Sequence, residues 1–473
     1  MKALELAKRY AVGAMVSQVV DLVSRGDRDS LIRLTRVMEH LAPYAYQRRQ
    51  LAWFRGLFEQ GHPATDLALR VLRELHPNVR SKLVRNLFVH NAWLGARRRA
   101  EFKRETGVQA PYLIVISPTM RCNLRCVGCY AGAYRQEDEM SFELWDSTIE
   151  QAKDMGIYFF TISGGEPFIR ADEFLTLARK HDDAYFQVYT NGTLIDEEMA
   201  GKLQEVGNIA PAISVEGFAE ETNQRRGKGV YEKVLRAMRV LREAGCIYGF
   251  SATVTRHNAE LLASEAFLDH YLNAGCYFGW FFTYIPIGRG PDLDLMATPE
   301  QRDMLRRRTL EIRRTRPIFV ADFWNDGPLT GGCMAGGRMY LHINHRGDVE
   351  PCVFAHFAVD NLHNCTLREA LTSKLFRAIQ SRQPYCDNPL RPCMIIDHPH
   401  ILREVVAESG AVSTDGTSHA LLDEKAQGLD EYAQRYGELA EKAWAEEDYS
   451  WAKKGGLLEP GQPQEELVAE PQV

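Results

Sequence analysis

The spacing of apolar residues along the chain changes near residue 108. Before that point, stretches such as residues 29–58 repeat apolar residues at intervals of three and four, the period of an amphipathic helix. After it, short apolar runs alternate with amphipathic helical segments, which is typical of a parallel sheet with helical crossovers. The predicted strands occupy residues 112–117, 157–164, 184–191, 209–217, 246–255 and 276–286. Six such units predict an α/β fold, a partial (β/α)6 TIM-type barrel.

The same patterns divide the chain into five predicted segments. A helical N-terminal domain at 1–108 precedes the barrel at 109–320, and a small Cys-rich C-terminal extension follows at 321–400. The pattern is again helical at 401–445. The last segment, 446–473, is rich in Pro, Glu and Gln and is predicted to be a disordered tail.

Composition narrows the class of protein. The chain has 473 residues, more than one ordinary core holds, and a formal net charge of −6, which argues against a surface built to bind nucleic acid. No apolar run reaches eighteen residues, so we expect no transmembrane segment. The N-terminal sequence lacks a signal-peptide core, which predicts a cytoplasmic protein whose thiols stay reduced. The ten cysteines are therefore better explained as metal ligands than as disulfides.

Three of those cysteines, Cys122, Cys126 and Cys129, lie within eight residues directly after the first predicted strand. Three thiolates can hold three irons of a cubane cluster and leave the fourth iron open, and an open metal position is typical of catalytic sites. Loops at the C-terminal ends of barrel strands also form the catalytic face of such folds. The alternative is a zinc knuckle that takes its fourth ligand from elsewhere.

The spacing C-x3-C-x2-C, followed by Tyr130, resembles the signature of the radical S-adenosylmethionine (SAM) superfamily. The resemblance implies a catalytic [4Fe–4S] cluster whose open iron is chelated by SAM. It also implies reduced flavodoxin or ferredoxin as the electron donor. In that family the cluster cleaves SAM reductively to methionine and a 5′-deoxyadenosyl radical.

The end of the second predicted strand carries "TISGGEPFIR", which contains Gly164, Gly165, Glu166 and Pro167. Paired glycines let a ligand approach the backbone closely, and a carboxylate can accept hydrogen bonds from an ammonium group. The segment resembles the GGEP motif of the superfamily, which receives the methionine amine of SAM.

Polar residues also end the next two predicted strands: Thr190 and Asn191 end the third, and Ser214 and Glu216 end the fourth. The resemblance implies that they belong to the SAM site, with the fourth strand binding the ribose hydroxyls. Arg226 follows at a position where relatives often carry an arginine near the SAM carboxylate. The alternative for Arg226 is a solvated loop residue.

A second group of cysteines begins with the spacing C-x13-G-x4-C, from Cys333 through Gly347 to Cys352, and a predicted hairpin can bring its two thiols together. The spacing resembles the SPASM and Twitch extensions of radical SAM enzymes and implies one auxiliary [4Fe–4S] cluster. The predicted ligands are Cys333, Cys352, Cys386 and Cys393. Cys365 is a rival fourth ligand, and an open iron is a further alternative. The compact four-cysteine block of full SPASM domains is missing, so one cluster of the shorter Twitch type is expected and a second auxiliary cluster is not.

Longer stretches, residues 325–354 and 391–406, look like bacterial radical SAM proteins that carry a helical N-terminal extension. That likeness carries no substrate with it. Cys246 and Cys276 are predicted to be ordinary buried thiols.

The substrate must be inferred from the remaining features. Residues 80–104 hold eight Lys or Arg and one acid, which favours either an anionic membrane surface or a helix docked on the barrel with its basic face in water. Aromatic residues near strand ends predict an apolar substrate cavity; they are Phe281, Phe282, Tyr284, Phe323 and Trp324. Asp322 and Asp326 are the nearest acids, as proton acceptors or as loop residues.

These features predict a radical SAM enzyme that removes hydrogen from an unactivated C–H bond. The substrate hypothesis is a lipid alkyl chain, which would place the enzyme peripherally on the inner face of the membrane. A peptide-maturing enzyme is the alternative. The rival from another class is a non-enzymatic Fe–S electron carrier or a structural zinc protein.

Overall fold

The structure is a computed structural model that describes residues 26–42 and 45–450. The N-terminal sequence used to predict the absence of a signal peptide, and residues 451–473 of the predicted tail, lie outside the described residues. The part of that tail that is described contacts the body of the protein: Glu447 and Tyr449 both accept hydrogen bonds from Arg306. Ordered structure therefore extends beyond the predicted boundary at residue 446.

The centre of the fold is a nine-stranded sheet with the order β7-β6-β5-β4-β3-β2-β1-β8-β9. Neighbours from β7 to β8 run parallel, and β9 returns antiparallel to β8. The strands are β1 Leu113–Ile116, β2 Phe159–Ile162, β3 Tyr185–Thr190, β4 Ile209–Val215, β5 Gly249–Val254, β6 Phe278–Thr283, β7 Phe319–Asp322, β8 Tyr340–Ile343 and β9 Val349–Glu350. The six predicted strands and the partial-barrel fold class are confirmed. A small antiparallel pair, β10 Phe357–Ala358 and β11 Val412–Ser413, lies in the C-terminal extension.

Helices connect the parallel strands on the outside of the barrel. Their apolar faces supply the outer core: in the helix after β1, Trp145, Ile149 and Ala152 recur at helical spacing and are fully buried. The barrel helices are Phe142–Asp154, Ala171–Lys180, Glu197–Val206, Ala219–Arg226, Val230–Glu243, Ala259–Leu262, Glu265–Asn273 and Pro299–Thr315. The C-terminal helices are Gly327–Thr330, Leu367–Leu371, Lys374–Arg382, Pro399–Ser409 and Ala426–Glu446.

The N-terminal helices close the bottom of the barrel, where the strands begin. They are Arg28–Leu41, Ala45–Glu59, Ala64–Glu74, Pro77–Lys82, a π-helix at Leu83–Leu94, and Gly95–Thr106. Polar side chains of the π-helix bond to the backbone beside β2 and β3: Asn86 donates to the carbonyls of Asp182 and Ala184, and Asn91 accepts from the amide of Tyr158. These bonds satisfy backbone groups that the start of a sheet leaves unpaired.

The basic stretch at 80–104 is therefore docked on the barrel, as one of the two interpretations expected. The expectation that its basic face lies in water is wrong, because several of its charged side chains form bonds within the fold. Arg80 and Arg99 are buried and donate to backbone carbonyls, and Lys82 and Arg85 both pair with Asp182. Across the described residues we find no helix with the length and apolar character needed to cross a bilayer.

Candidate functional site

The loop after β1, residues 117–134, carries Cys122, Cys126 and Cys129, which are all partly exposed. Two arginines distant in sequence bond to its backbone: Arg225 in the helix Ala219–Arg226 and Arg289 in the segment after β6. Arg289, after β6, donates from its amide to the carbonyl of Cys129 at 3.0 Å and from its guanidinium to that of Cys126 at 3.1 Å. Arg225, after β4, donates to the carbonyl of Val127 at 3.1 Å. We call residues 117–134 the cluster loop.

Cations surround the thiols of the cluster loop. Burial raises the pKa of Cys122 to about 11 and also raises the pKa of Cys129, where Arg225 and Arg289 act in the opposite direction. A metal ligand must be a thiolate, so bound metal has to offset this burial cost. Sequence reasoning missed both arginines, since their distance in sequence from the cysteines gives no signal.

The two glycines of the GGEP segment allow a close backbone contact. Gly164 has φ of +104°, and a Cβ there would lie 2.5 Å from the carbonyl oxygen of Thr119. A Cβ on Gly165 would lie 2.0 Å from the carbonyl oxygen of Arg121. The close neighbour of both glycines is thus the cluster loop itself, and their part in a ligand site stays a prediction. Amides of Gly165 and Glu166 bond this loop at 2.9 and 2.8 Å.

Glu166 is fully buried and already engaged. Its carboxylate accepts from the Phe168 amide at 3.1 Å, the Thr190 hydroxyl at 2.8 Å and the Asn191 amide at 2.8 Å. Burial raises its pKa, against these bonds. A carboxylate has about four lone-pair positions, so one remains for a further donor such as an ammonium group. Thr190 and Asn191 therefore contact Glu166 directly, and Pro167 begins the 3₁₀ turn that follows.

Glu216, directly after β4, has one unsatisfied oxygen. Its Oε1 accepts from Arg225 at 2.5 Å and from Arg226 at 2.8 Å, whereas its buried Oε2 has no partner among the described residues. A buried carboxylate oxygen without a donor is costly, and the hydroxyls of a ribose would satisfy it. Ser214 is partly exposed two residues earlier on the same strand. The side chain of Arg226 is only 11% exposed, so the interpretation as a solvated loop residue is wrong.

Tyr130 ties the cluster loop to the end of β2. Its hydroxyl lies 2.6 Å from Ser163 Oγ and accepts from the amide of Gly164 at 3.2 Å. The cluster loop thus contacts the end of β2 through Tyr130, and Arg225 links Val127 of the same loop to Glu216 after β4.

Three cysteines of the second group belong to an apolar core that includes the extension. Cys333, Cys352 and Cys393 all pack in this core. The Tyr340 hydroxyl lies 2.8 Å from Cys352 Sγ, and the amide of Ile395 donates to Cys393 Sγ at 3.3 Å. The hairpin predicted between Cys333 and Cys352 is present as β8 and β9.

The two candidates for the fourth ligand lie in different surroundings. Cys386 donates from Sγ to the carbonyl of Asn388 at 3.2 Å and is close in sequence to Cys393. Cys365 donates to the carbonyl of Asn361 at 3.4 Å and packs against the barrel core instead. This favours Cys386 over Cys365, and the assignment stays a prediction. Cys246 and Cys276 are buried, as expected.

The proton-acceptor interpretation of the two candidate acids is not supported. Asp322 pairs in register with Phe281, whose side chain packs against outer-core residues, so Asp322 also points away from the barrel interior. It lies beside Arg306 and Arg313 of the helix Pro299–Thr315. Asp326 is paired with Arg313 at 2.7 Å.

Asp322 nevertheless predicts a pH effect on stability. Burial, with the nearby Asp326, raises its pKa to about 7 from the usual 3.8. Because the folded state holds the proton more tightly, Asp322 lowers stability progressively from about pH 4 to pH 7, by at most about 4 kcal/mol. We expect Asp322→Asn to raise the thermal midpoint at pH 8 and to change it little at pH 4.5. Asp326→Asn, which breaks the pair with Arg313, should lower the midpoint at both pH values; an equal response of the two variants would contradict this account.

One further group of metal-ligand residues exists among the described residues: Asp146, Glu150 and His181. Lys180 Nζ lies 2.5 Å from Asp146, and Lys153 Nζ lies 3.3 Å from His181. Lysines thus already occupy the space a cation would need.

Comparison with known proteins agrees with this geometry. The model of the radical SAM superfamily matches residues 116–260, and that of the SPASM iron-sulfur cluster-binding domain matches residues 333–394. Mycofactocin maturase MftC of Mycobacterium tuberculosis is 30% identical over 277 residues, which cover 54% of this chain and 69% of that protein. Fe-coproporphyrin III synthase of Methanosarcina barkeri is 31% identical over 231 residues, 46% of this chain and 57% of that protein. Streptococcus suis SuiB bound to S-adenosylmethionine shares the fold, with a TM-score of 0.53 at 17% identity over 70% of this chain and 87% of that one.

The chain therefore belongs to the radical SAM superfamily of enzymes. Within it, the chain carries the SPASM type of C-terminal domain, so its cofactors are SAM, a catalytic [4Fe–4S] cluster and an auxiliary iron-sulfur cluster. The electron-carrier and structural-zinc interpretations are wrong.

Proposed function

We propose that the chain cleaves SAM reductively and removes a hydrogen atom from an unactivated C–H bond of its substrate. When bound, the cluster and SAM supply the electron and the 5′-deoxyadenosyl radical for that step. Cys122, Cys126 and Cys129 would hold the catalytic cluster, and reduced flavodoxin or ferredoxin would be the electron donor. The unsatisfied oxygen of Glu216 is the observation that supports a SAM site most directly.

The residues of the proposed SAM site have different roles. Gly164 and Gly165 hold the GGEP turn against the cluster loop, and Glu166 offers its remaining lone pair to the methionine amine. Glu216 and Ser214 would accept hydrogen bonds from the ribose hydroxyls. Arg225 and Arg226 keep the Glu216 carboxylate fixed and place positive charge beside the cysteines.

The substrate would bind beside a cluster of aromatic side chains where the barrel meets the extension. Phe282 contacts Tyr189 at 5.3 Å and Phe323 at 5.4 Å between ring centroids, and Trp324 contacts Phe354 at 5.0 Å. The amide of Phe354 donates to Cys352 Sγ at 3.4 Å, so this wall ends at the auxiliary site. Because strand residues alternate between faces, only some of the predicted aromatics can lie on this wall, and Phe281 packs against Phe250 and Phe267 instead. Tyr284 packs beside Gly128 of the cluster loop.

This wall favours a substrate whose reacting part is apolar, and a lipid alkyl chain remains the first candidate. A peptide is the second, since a structural neighbour of similar fold, SuiB, is described with a bound precursor peptide. The charge-based reason for a lipid is weaker than the sequence suggested, because the basic stretch is used in docking.

The function is tested with anaerobically reconstituted protein, dithionite and SAM. We expect 5′-deoxyadenosine, and absence of this product at full cluster loading would contradict the proposal. Extracts of cells grown in deuterated medium then identify the substrate class, because abstraction transfers deuterium into 5′-deoxyadenosine. Deuterated 5′-deoxyadenosine formed with the lipid fraction supports an alkyl chain. Deuterated 5′-deoxyadenosine formed with the peptide fraction supports the second candidate.

Docking of residues 80–104 predicts that these residues do not drive membrane binding. Any co-sedimentation of the chain with anionic vesicles should therefore be insensitive to salt, because it does not depend on these charges. Arg99→Glu places an acid among carbonyl oxygens that Arg99 now satisfies and should destabilise the fold by roughly 3–5 kcal/mol. Arg97→Glu, at an exposed position that pairs with Glu101, should cost under about 1 kcal/mol. Salt-sensitive vesicle binding that is lost in Arg97→Glu would restore the membrane interpretation.

A further inference from the structure

A fully buried chain of hydrogen bonds joins the end of β1 to the hairpin of the extension. Ser117 Oγ lies 2.7 Å from His342 Nε2, and His342 Nδ1 lies 2.6 Å from Glu350 Oε2. None of the three side chains is exposed to solvent. The order Ser–His–Glu is that of a hydrolytic triad, but a substrate cannot reach a fully buried Ser117. This chain of hydrogen bonds therefore has a structural role and is not a hydrolytic site.

Glu350 is the point where separate parts of the protein meet. Its Oε1 accepts from the Tyr134 hydroxyl at 2.8 Å, Asn344 Nδ2 at 2.8 Å and the Thr414 hydroxyl at 2.5 Å. With His342 on the other oxygen, the carboxylate takes part in four hydrogen bonds. Tyr134 ends the cluster loop, whereas Glu350 stands two residues before Cys352. One carboxylate thus contacts the segments that carry both cysteine groups.

Ser117, at the other end of this chain of hydrogen bonds, lies against the GGEP segment. A Cβ on Gly164 would lie 3.0 Å from Ser117 Cβ, so no space separates the two residues. The Ser163 amide bonds the Ile116 carbonyl at 2.9 Å next to them. A shift of Ser117 would therefore move the turn that holds Glu166.

We propose that Glu350 is a positioning residue that couples occupancy of the auxiliary site to SAM binding at the cluster loop. The inference rests on the proposed function of the two cysteine groups. Metal bound at Cys352 fixes the end of β9, and Glu350 transmits that position to Tyr134 and, through His342, to Ser117. A fully satisfied buried network transmits such a constraint because it has few alternative arrangements. Coupling between sites is reciprocal, so SAM binding should also stabilise the auxiliary site.

A double-mutant cycle measures the coupling. Cys393→Ala empties the auxiliary site without touching the network, and Tyr134→Phe removes one hydroxyl from Glu350. SAM affinity is read from the change in the EPR spectrum of the reduced catalytic cluster, which requires no substrate. We expect Cys393→Ala to weaken SAM binding about five- to tenfold in the wild-type background and less than about twofold in Tyr134→Phe.

Two further variants keep the test decisive. Ser117→Ala breaks the second branch from Glu350, which runs through His342, and should also reduce the coupling, even if Tyr134→Phe is poorly folded. Tyr248→Phe removes a buried hydroxyl that bonds the carbonyl of Ala274 and should leave the coupling intact. Equal effects of Cys393→Ala in all backgrounds, or no effect in any, would overturn the proposal. Failure of the wild type to form 5′-deoxyadenosine would instead count against the proposed function.

Discussion

Replacing Cys122, Cys126 and Cys129 together by Ala should remove about half of the bound iron, four of about eight atoms per chain, and all reductive cleavage of SAM. The three thiols lie on one loop whose backbone is bonded by Arg225 and Arg289. The auxiliary cysteines belong to a separate apolar core, so their cluster should survive. Iron analysis and EPR of the reduced protein measure both quantities.

A matched control uses the three cysteines outside both groups. Cys246, Cys276 and Cys365 lie at other places in the fold, and their joint replacement by Ala should leave the iron content unchanged. Full iron retention in the first variant would remove the catalytic assignment. Complete iron loss would show that the two sites are not independent.

The strands and the cysteine groups were predictable because their signals are local. Six apolar runs of strand length gave the sheet, and the turn at Gly347 gave the β8–β9 hairpin. Chemistry near the cluster loop was partly predictable for the same reason, since the GGEP segment and Glu216 follow strands directly.

What the sequence could not give depends on contacts between distant residues. The charges of residues 80–104 read as a surface feature, yet Arg99 and Lys82 are used inside the fold. Alternation along β6 requires that one of Phe281 and Phe282 face outward, but only the packed helices determine which one does. Arg289 reaches Cys126 across 163 positions, so no spacing pattern could reveal it.

The second large effect is expected from Arg302, which forms a fully buried ion pair with Asp397. Arg302 Nη1 and Nη2 lie 2.6 and 3.1 Å from the two oxygens of Asp397, and both side chains are inaccessible to solvent. Asp397 also accepts from the amide of Cys393 at 2.9 Å, so this pair anchors an auxiliary ligand to the helix Pro299–Thr315. Arg302→Met leaves a buried carboxylate without its partner and should cost about 3–5 kcal/mol of unfolding free energy.

Arg302→Met combined with Asp397→Leu separates the two roles of the pair. Removing both charges should restore much of the lost stability, because replacing a buried pair by apolar residues is often close to neutral. The iron content of the auxiliary site should nevertheless be lower than in the wild type, since the Cys393 amide has lost its acceptor in the double variant. Arg382→Met breaks a partly exposed pair with Glu408 and should change stability by under about 1 kcal/mol. Denaturant midpoints and iron content measured on the same samples test this, and auxiliary iron that recovers together with stability would show that Asp397 serves the fold alone.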